Sequence, residues 1–345
     1  MRDHPDPFDV PVRDRSARIA RRADPATFAS DGSQEPIVSI VVVSYNTREM
    51  TLDCLRSVAA ETRTPHEVLV WDNASTDGSA KAIAQAFPDL ALTACPENLG
   101  FAKANNHAAR AARGRYILLL NPDTVVLDRA IDRLLDFART RPEAGIWGGR
   151  TVFADGSLNA ASCWGRMSLW SVACQALGLS HALPRSALFN PESYGGWQRD
   201  DERAVDVVSG CFFLIEAETW RALGGFDETF TMYGEEYDLC MRARATGAAP
   251  RITPEARIVH HVGASSKARA QKLAMLLRAK TTLIRRHFPR GQRRAGVLAL
   301  TCWPLSRVAV SLCLARLTSS PRWRERHAAW SDVWRQRATW RAGYG

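Results

Sequence analysis

Short apolar runs recur at intervals of about 30 residues through the first third of the chain, with helix-spaced stretches between them. The run Ile37-Val38-Ser39-Ile40-Val41-Val42-Val43 is β-branched and almost uninterrupted, as a strand covered on both faces requires. Leu52, Leu55 and Val58 or Ala59 then fall at helical spacing, predicting a helix over 47–60. Glu67-Val68-Leu69-Val70-Trp71 reads as a second strand, closed by Asp72-Asn73-Ala74-Ser75-Thr76-Asp77-Gly78. Asp77 or Ser79 is placed to cap a helix ending near Ala86. A third strand is expected over 90–93, a helix over 101–112 ended by Gly114, and a fourth strand over 116–120. Such alternation predicts an α/β fold with a Rossmann-like, doubly wound, mostly parallel sheet.

Beyond Asp128 the pattern is less regular. A helix is expected to about Arg139, whereas residues 160–203 are rich in Trp, Ser, Pro and Gly and carry only weak periodicity. Regular structure is expected again over 205–215, as a helix over 217–223 before the Gly224-Gly225 turn, as a helix over 238–246, and as a last strand over 256–260. Between residues 267 and 288, Leu273, Leu276, Leu277, Leu283, Ile284 and Phe288 mark an amphipathic helix with a basic face. Residues 1–35 mix Arg and Asp with little apolar content and read as a loosely packed lead-in without a secretory signal.

Charge divides the chain. From Ser265 onward there are 18 Lys and Arg against Glu325 and Asp332, so this stretch carries +16 of a net +10 and the remainder carries −6. The same stretch holds Trp303, Trp323, Trp330, Trp334 and Trp340, five of eleven tryptophans. Arg with Trp suits an anionic membrane surface; it also suits nucleic acid, or a solvated helical extension with a few core tryptophans. The best candidate for a membrane span, residues 297–317, is interrupted by Pro304 and Arg307, which favours a helix lying in the interface. None of the eight cysteines forms a Cys-x-x-Cys pair, so a zinc site or disulfide framework is not indicated and a reducing cytoplasm fits.

The candidate chemistry lies in two acidic clusters more than a hundred residues apart: Leu120-Asn121-Pro122-Asp123 at a strand end, and Gly234-Glu235-Glu236-Tyr237-Asp238. Acids at the carboxyl ends of strands lie where open α/β sheets bind ligands. Neither Gly-x-Gly-x-x-Gly nor a P-loop follows the first strand, so the dinucleotide and P-loop readings lose their main support.

Six segments in order carry a resemblance. They are Val43-Ser44-Tyr45-Asn46, Asp72 to Gly78, Asn98-Leu99-Gly100-Phe101, Leu120 to Asp123, Gly224-Gly225-Phe226-Asp227-Glu228 and Glu235-Glu236-Tyr237-Asp238-Leu239-Cys240-Met241-Arg242. Together they resemble a family 2 glycosyltransferase of GT-A fold, in its rhamnosyltransferase-like branch, over roughly residues 37–265. The resemblance implies a GT-A domain over 36–265, with a nucleotide-binding half at about 36–150 and an acceptor half at about 151–265, followed by a basic, Trp-rich helical extension over 266–345. For the nucleotide sugar it implies Ser44, Tyr45, Asn46, Asp72, Asn73, Asn98, Gly100, Asn121 and Asp123, with Asp72 accepting the pyrimidine imide N–H. It implies a divalent metal, Mg2+ or Mn2+, at Asp123, with His260 preferred over His261 as a second ligand. Asn121-Pro122-Asp123 stands where family members commonly carry Asp-x-Asp, so one carboxylate is missing. Glu236 takes the place of the general base, with Glu235 as runner-up, and Gly210 and Asp227 fall on the acceptor side. Asp238 and Arg242, four apart on a helix, are expected to form a structural ion pair.

The expected activity is an inverting transfer, with dTDP-L-rhamnose, or failing that a UDP-sugar, as donor. The acceptor is expected to be a glycan or polyprenyl-diphosphate-linked glycan in cell-wall or surface polysaccharide synthesis. The expected location is the cytoplasmic face of the membrane, held by peripheral contact with anionic lipid, with no nucleic acid bound. A non-catalytic nucleotide-sugar-binding protein, or a nucleic-acid binder using the basic tail, explains fewer of these residues.

Overall fold

The computed structural model describes residues 35–261, 269–318 and 320–345. The lead-in before residue 35 lies outside the described residues, as does the stretch 262–268, which holds the end of the His260-His261 motif and the boundary expected at 265/266. The first half alternates as expected: β1 (Val38–Ser44), α1 (Arg48–Glu61), β2 (His66–Asn73), α2 (Ser79–Ala86), β3 (Ala91–Cys95), α3 (Phe101–Ala109) and β4 (Tyr116–Leu120). There follow β5 (Thr124–Val126), α4 (Ala130–Thr140), β6 (Ile146–Val152), β7 (Cys163–Trp164), α5 (Leu169–Leu177), α6 (Leu179–Ala182), β8 (Arg203–Ala204), β9 (Val207–Val208) and β10 (Phe212–Glu216). The chain continues through α7 (Ala217–Ala222), α8 (Glu235–Ala245), β11 (Arg251–His260), α9 (Arg269–His287), α10 (Arg293–Thr318), α11 (Pro321–Arg335) and α12 (Arg337–Ala342).

The main sheet has nine strands in the order β3-β2-β1-β4-β10-β6-β11-β5, with β8 paired to β11. β1 to β4, β6 and β11 run one way, while β10, β5 and β8 run the other. Both faces are covered, which is why β1 and β4 read as unbroken apolar runs. Alternate residues serve different cores. Val41, Val43, Ile117 and Leu119 pack with α3 and α8, whereas Ile40, Val42, Leu118 and Leu120 pack with α1 and α4.

Three features depart from the periodicity. First, the single regular stretch expected over 205–215 is two strands. β9 pairs with β7 in a small separate sheet and β10 joins the main one, with Ser209-Gly210-Cys211 as the switch between them. Second, β6 sits inside the main sheet although its sequence, Ile-Trp-Gly-Gly-Arg-Thr-Val, gives no strand signal. Its glycines are required by close approach: a Cβ on Gly149 would lie 2.1 Å from the Ala256 carbonyl oxygen, and one on Gly148 2.5 Å from Val208 Cγ1. Third, β11 begins five residues before the expected strand, because Pro254 and a register irregularity between Thr253 and Arg257 hide its first part.

The irregular stretch 160–203 is organised by buried polar groups. Arg199, 2% exposed, donates to the carbonyls of Trp197, Ser193 and Ala160. Glu192 accepts from Ser171 Oγ at 2.7 Å, Gln175 Nε2 at 3.2 Å and Lys280 Nζ at 2.6 Å, tying this region to α9. The helices after residue 268 share the core of the sheet: Leu273, Leu277, Leu283, Ile284 and Leu300 are buried in the same cluster as Phe213 and Phe226. Trp340 is buried, with its indole N–H donating to the Val333 carbonyl, and Trp303, Trp330 and Trp334 pack against that core. These tryptophans are structural.

Gly149→Ala is expected to destabilise the fold by about 1–3 kcal/mol, because the obstructing atom is backbone and cannot rotate away. Gly291→Ala, where nothing lies within 4 Å of the added carbon, is expected to fall within about 0.5 kcal/mol of the parent. Thermal unfolding of the two variants side by side checks the contrast, and equal midpoints would refute it.

Candidate active site

At the donor end, β1 and β2 finish level, with Ser44 beside Asp72. Asp72 is 2% exposed; its Oδ2 accepts the Ser75 N–H at 3.1 Å, and its Oδ1 is buried with no hydrogen-bond partner. A buried carboxylate oxygen without a donor is costly, so Asp72 is prepared to accept an N–H from a ligand. Ser44 Oγ lies 3.0 Å from Thr51 Oγ1 and 3.3 Å from Thr47 Oγ1, inside a hydroxyl cluster that starts α1. Asn46, left-handed at φ 51°, donates its N–H to Ser75 Oγ and accepts the Thr76 N–H at 2.8 Å. It thereby latches the β2–α2 loop to the β1–α1 turn, leaving Tyr45 exposed at the rim. Asn73 donates to Asn98 Oδ1 at 2.9 Å and accepts the Leu99 N–H. Gly100, at φ 78°, comes so close to the Thr231 carbonyl that a Cβ would lie 2.6 Å from it. Ser44, Asn46, Asn73, Asn98 and Gly100 thus build the walls around Asp72.

The second group forms where β4 ends. The Asn121 N–H donates to the Cys211 carbonyl at 3.1 Å, and Thr124 Oγ1 closes the turn by donating to the Asn121 carbonyl. Asp123 then faces β11, with its Oδ1 3.5 Å from His260 Nε2 and its carbonyl accepting the His261 N–H. Burial pushes the Asp123 carboxyl up, but the His260 charge and hydrogen bond outweigh it and hold the group below the usual carboxylate range. Burial pushes His260 down, and the Cys211 thiol and Asp123 carboxylate carry it well above its usual value. Its Nδ1 is buried without a partner. Among the described residues no group of three or more His, Cys, Asp or Glu gathers to hold a metal. Asp123 and His260 nonetheless form an oxygen–nitrogen pair.

The third group opens α8. Glu235 and Glu236 occupy its first turn, after Gly234 at φ 92°. Expected at 238, the helix starts three residues earlier, so both acids ride on a rigid element. Glu235 is 4% exposed and Glu236 is half-buried, and each has one buried carboxylate oxygen without a partner. Burial, joined by the Glu236 charge, raises Glu235 well above the ordinary carboxylate range, and burial raises Glu236 as well. The helix is anchored by Asp238, which accepts from Arg242 Nε at 2.7 Å, the expected ion pair, and meets His287 Nε2 at 2.8 Å. Arg242 also donates to the carbonyls of Leu223 and Gly225. Asp227 is engaged with Thr229 and with Arg286 at 2.5 Å, one bond away from the same anchor.

One junction brings the second and third groups together. Cys211 holds the Asn121 turn, and a Cβ on its neighbour Gly210 would lie 3.9 Å from Glu236 Cβ and 3.4 Å from Phe101. Both acidic clusters therefore flank the same Gly210-Cys211 segment. Three residues there escaped sequence reasoning. Cys211 carries no pattern of its own. Lys272 on α9 stands within electrostatic reach of Asp123, and its motif lies in a helix read only for amphipathicity. Tyr344 hydroxyl donates to the Met232 carbonyl at 3.0 Å, and its ring packs on Phe230, supporting the loop before Glu235 from more than a hundred residues away.

A doubly wound, mostly parallel sheet with acids at its strand ends and a buried glutamate pair nearby defines an α/β fold of the open-sheet class. The profile described as Glycosyl transferase family 2 matches residues 39–212. The N-acetylglucosaminyl-diphospho-decaprenol L-rhamnosyltransferase of Mycobacterium tuberculosis is 30% identical over 244 residues, covering 65% of this chain and 76% of that protein. The O-antigen biosynthesis protein RfbC of Myxococcus xanthus is 30% identical over 276 residues, 75% of this chain, which spans only 21% of that longer protein. Among solved structures, the mannosyltransferase PcManGT from Pyrobaculum calidifontis, in complex with GDP-Man and Mn2+, superposes with a TM-score of 0.53 at 20% identity, covering 92% of this chain and 90% of that one. The chain belongs to glycosyl transferase family 2 and has the GT-A fold.

The glutamate pair has a pH signature. Because Glu235 titrates higher in the folded chain than when unfolded, its contribution to stability is full below the ordinary value of 4.5 and is lost as pH rises through the folded value. Glu235→Gln is neutral throughout. It is expected to raise the melting temperature at about pH 8, by roughly 2–4 °C per kcal/mol of relieved charge burial, and to bring no gain at about pH 4.5. A melting-temperature difference independent of pH would contradict the assignment.

Proposed function

We propose that this chain is an inverting glycosyltransferase of polysaccharide biosynthesis that moves a hexose from a nucleotide-diphosphate donor to a hydroxyl of a glycan acceptor. The observation that carries the reading is the Gly210-Cys211 junction, which sets the Asp123–His260 pair and the Glu235–Glu236 pair on one crevice. Asp72 accepts the pyrimidine imide N–H on its unpartnered oxygen, and Tyr45 borders the base. Asp123 and His260 would hold a divalent cation, which would supply charge neutralisation for the donor diphosphate, and a nitrogen ligand would favour Mn2+ over Mg2+. Glu235, the more strongly raised acid, keeps its proton and spares the site two adjacent anions. Glu236, the more accessible, takes the acceptor proton as the acceptor oxygen attacks the anomeric carbon. The bond to the diphosphate oxygen breaks with its electron pair leaving on the nucleoside diphosphate, and one displacement inverts the carbon.

The M. tuberculosis relative, named as an L-rhamnosyltransferase acting on N-acetylglucosaminyl-diphospho-decaprenol, favours L-rhamnose as the sugar and a polyprenyl-diphosphate-linked glycan as acceptor; we read the donor as dTDP-L-rhamnose, with a UDP-sugar as the alternative. An acceptor of that kind places the chain at the inner face of the cytoplasmic membrane. Support for peripheral contact comes from α10, a helix long and apolar enough to cross a membrane, only 17% buried over its most apolar window. Its exposed Leu298, Leu305, Val310 and Leu317 suit a helix lying in the interface.

Thermal-shift titrations of dTDP-rhamnose, UDP-glucose and UDP-N-acetylglucosamine, with and without Mn2+, test the donor. A bound donor at 100 times its Kd stabilises by about 2.7 kcal/mol. One donor is expected to respond, more strongly with metal, and Asp72→Ala to abolish the response. Glu236→Gln is expected to keep the donor-induced shift while turnover falls by about 10²–10⁴. Stabilisation by none of the three nucleotides would sink the reading.

A further inference from the structure

Away from the crevice, α9, α10 and α12 enclose a cleft of about 310 Å³ lined by Arg285, Arg293, Arg294, Val297, Leu298 and Arg341. It shares no lining residue with the candidate active site. Four of the six lining residues are arginines and none is acidic, a concentration of positive charge that the fold does not neutralise from within. Two of the guanidiniums are held in place by carbonyls. Arg285 donates to Arg341 O at 2.8 Å and to Ala342 O, and Arg293 donates to Phe288 O at 3.0 Å and Arg286 O at 3.3 Å. Carbonyl contacts fix a guanidinium without cancelling its charge, and with five N–H groups each arginine keeps donors beyond those that meet the carbonyls.

The floor of the cleft is aliphatic and continues into an exposed apolar surface. Leu298 is 65% exposed, and Leu305 follows two helical turns on along the same side of α10. Next to it, Ser306 Oγ donates to the Ala176 carbonyl, which brings up the end of α5 and the exposed Leu177. A basic cleft opening onto an apolar row has the chemistry of one amphiphile, a phosphate carried on a hydrocarbon tail. A second copy of this chain meeting the same face would set arginine against arginine. A nucleic acid would find no aromatic ring among the lining residues on which to stack its bases.

We propose that the Arg285–Arg293–Arg294–Arg341 cleft binds the phosphate headgroup of an anionic membrane phospholipid, with Leu298 and Leu305 entering the acyl boundary beside it. The inference rests on the peripheral-membrane reading above and turns it into a site. Bound this way, the chain is held by α10 and α12, while α9, which Lys280 ties to Glu192 and Arg286 to Asp227, carries the crevice at a fixed offset from the lipid surface.

Flotation of the full chain with vesicles of phosphatidylcholine, with and without phosphatidylglycerol, tests it. Wild type is expected to bind the phosphatidylglycerol vesicles in a salt-sensitive way. Arg294→Gln with Arg341→Gln is expected to lose roughly 30-fold in affinity for them, at about fivefold for each cation removed. Leu298→Ser with Leu305→Ser is expected to weaken binding whatever the headgroup. Unchanged far-UV circular dichroism and melting temperature identify variants that have kept the fold. If wild type binds phosphatidylglycerol and the arginine pair does too, the cleft is not the site, though the membrane reading survives. If wild type binds neither vesicle, both fail, with the donor titration left untouched. If inorganic phosphate at millimolar concentration releases the protein from vesicles and stabilises it equally well alone, the cleft serves a soluble anion and the lipid assignment is overturned.

Discussion

The hydrogen bond from the Asn121 amide to the Cys211 carbonyl is the contact on which the site depends. It exists because β10 enters the sheet antiparallel between β4 and β6. A sheet wound only from β-α-β units would have kept the 205–215 segment away from the end of β4. The inserted strand starts just after a switch between two sheets, and its first residues must therefore bend across the carboxyl end of β4. That bend carries Gly210 over to Glu236 and Cys211 over to the Asn-Pro-Asp turn. Moving the switch by one residue would turn every β10 side chain to the opposite face, exchanging Phe213 for Phe212 between the two cores and displacing both acids' neighbours.

The same crevice holds carboxylic acids in two opposite electrostatic states. Asp123, buried against His260, is held low; Glu235 and Glu236, buried against each other, are held high. Burial acts upward on all three and prevails at both glutamates, whereas at Asp123 the His260 neighbour outweighs it. A lowered acid stays ionised, as a cation ligand must, while the raised His260 would have to give up its proton before its nitrogen could join it; a raised acid suits a proton acceptor near neutral pH. Carboxylates set apart in this way by their surroundings are available for different tasks without any difference in residue type.

Much of the fold was legible in the sequence because the first 120 residues obey local rules. β1, β2 and β4 are buried on both faces and β-branched or leucine-rich, and the turns after them contain Asn, Asp and Gly. β6 was not legible. Its Gly148 and Gly149 are set by the approach of Ala256 and Val208, which lie far away in sequence. The 160–203 stretch was opaque for a related reason. Arg199 and Glu192 hold it through buried bonds to carbonyls and to Lys280, and such bonds leave no period to read. At the site, the sequence located the acids and the Asp238–Arg242 pair, since each lies in a compact motif. The support from Tyr344 and the proximity of Lys272 depend on how the last helices return to the sheet, which no local pattern encodes.

That return changes the meaning of the basic extension. Taken as composition, its arginines and tryptophans form one amphipathic device. In the fold they separate. Trp340 closes a core, Arg286 and His287 meet Asp227 and Asp238 beside and on α8, and Tyr344 props the loop leading into Glu235. What is left without an internal role is a smaller set, the arginine-lined cleft and the leucines of α10. Removing the extension would therefore do more than release the chain from a surface. It would take Leu273, Leu277 and Ile284 out of the core they share with Phe213 and Phe226 and withdraw the His287 contact that meets Asp238 on α8. The proposed surface site and the contacts to the acidic helix therefore draw on the same element, since α9 supplies Arg285 to the cleft and Arg286 to Asp227.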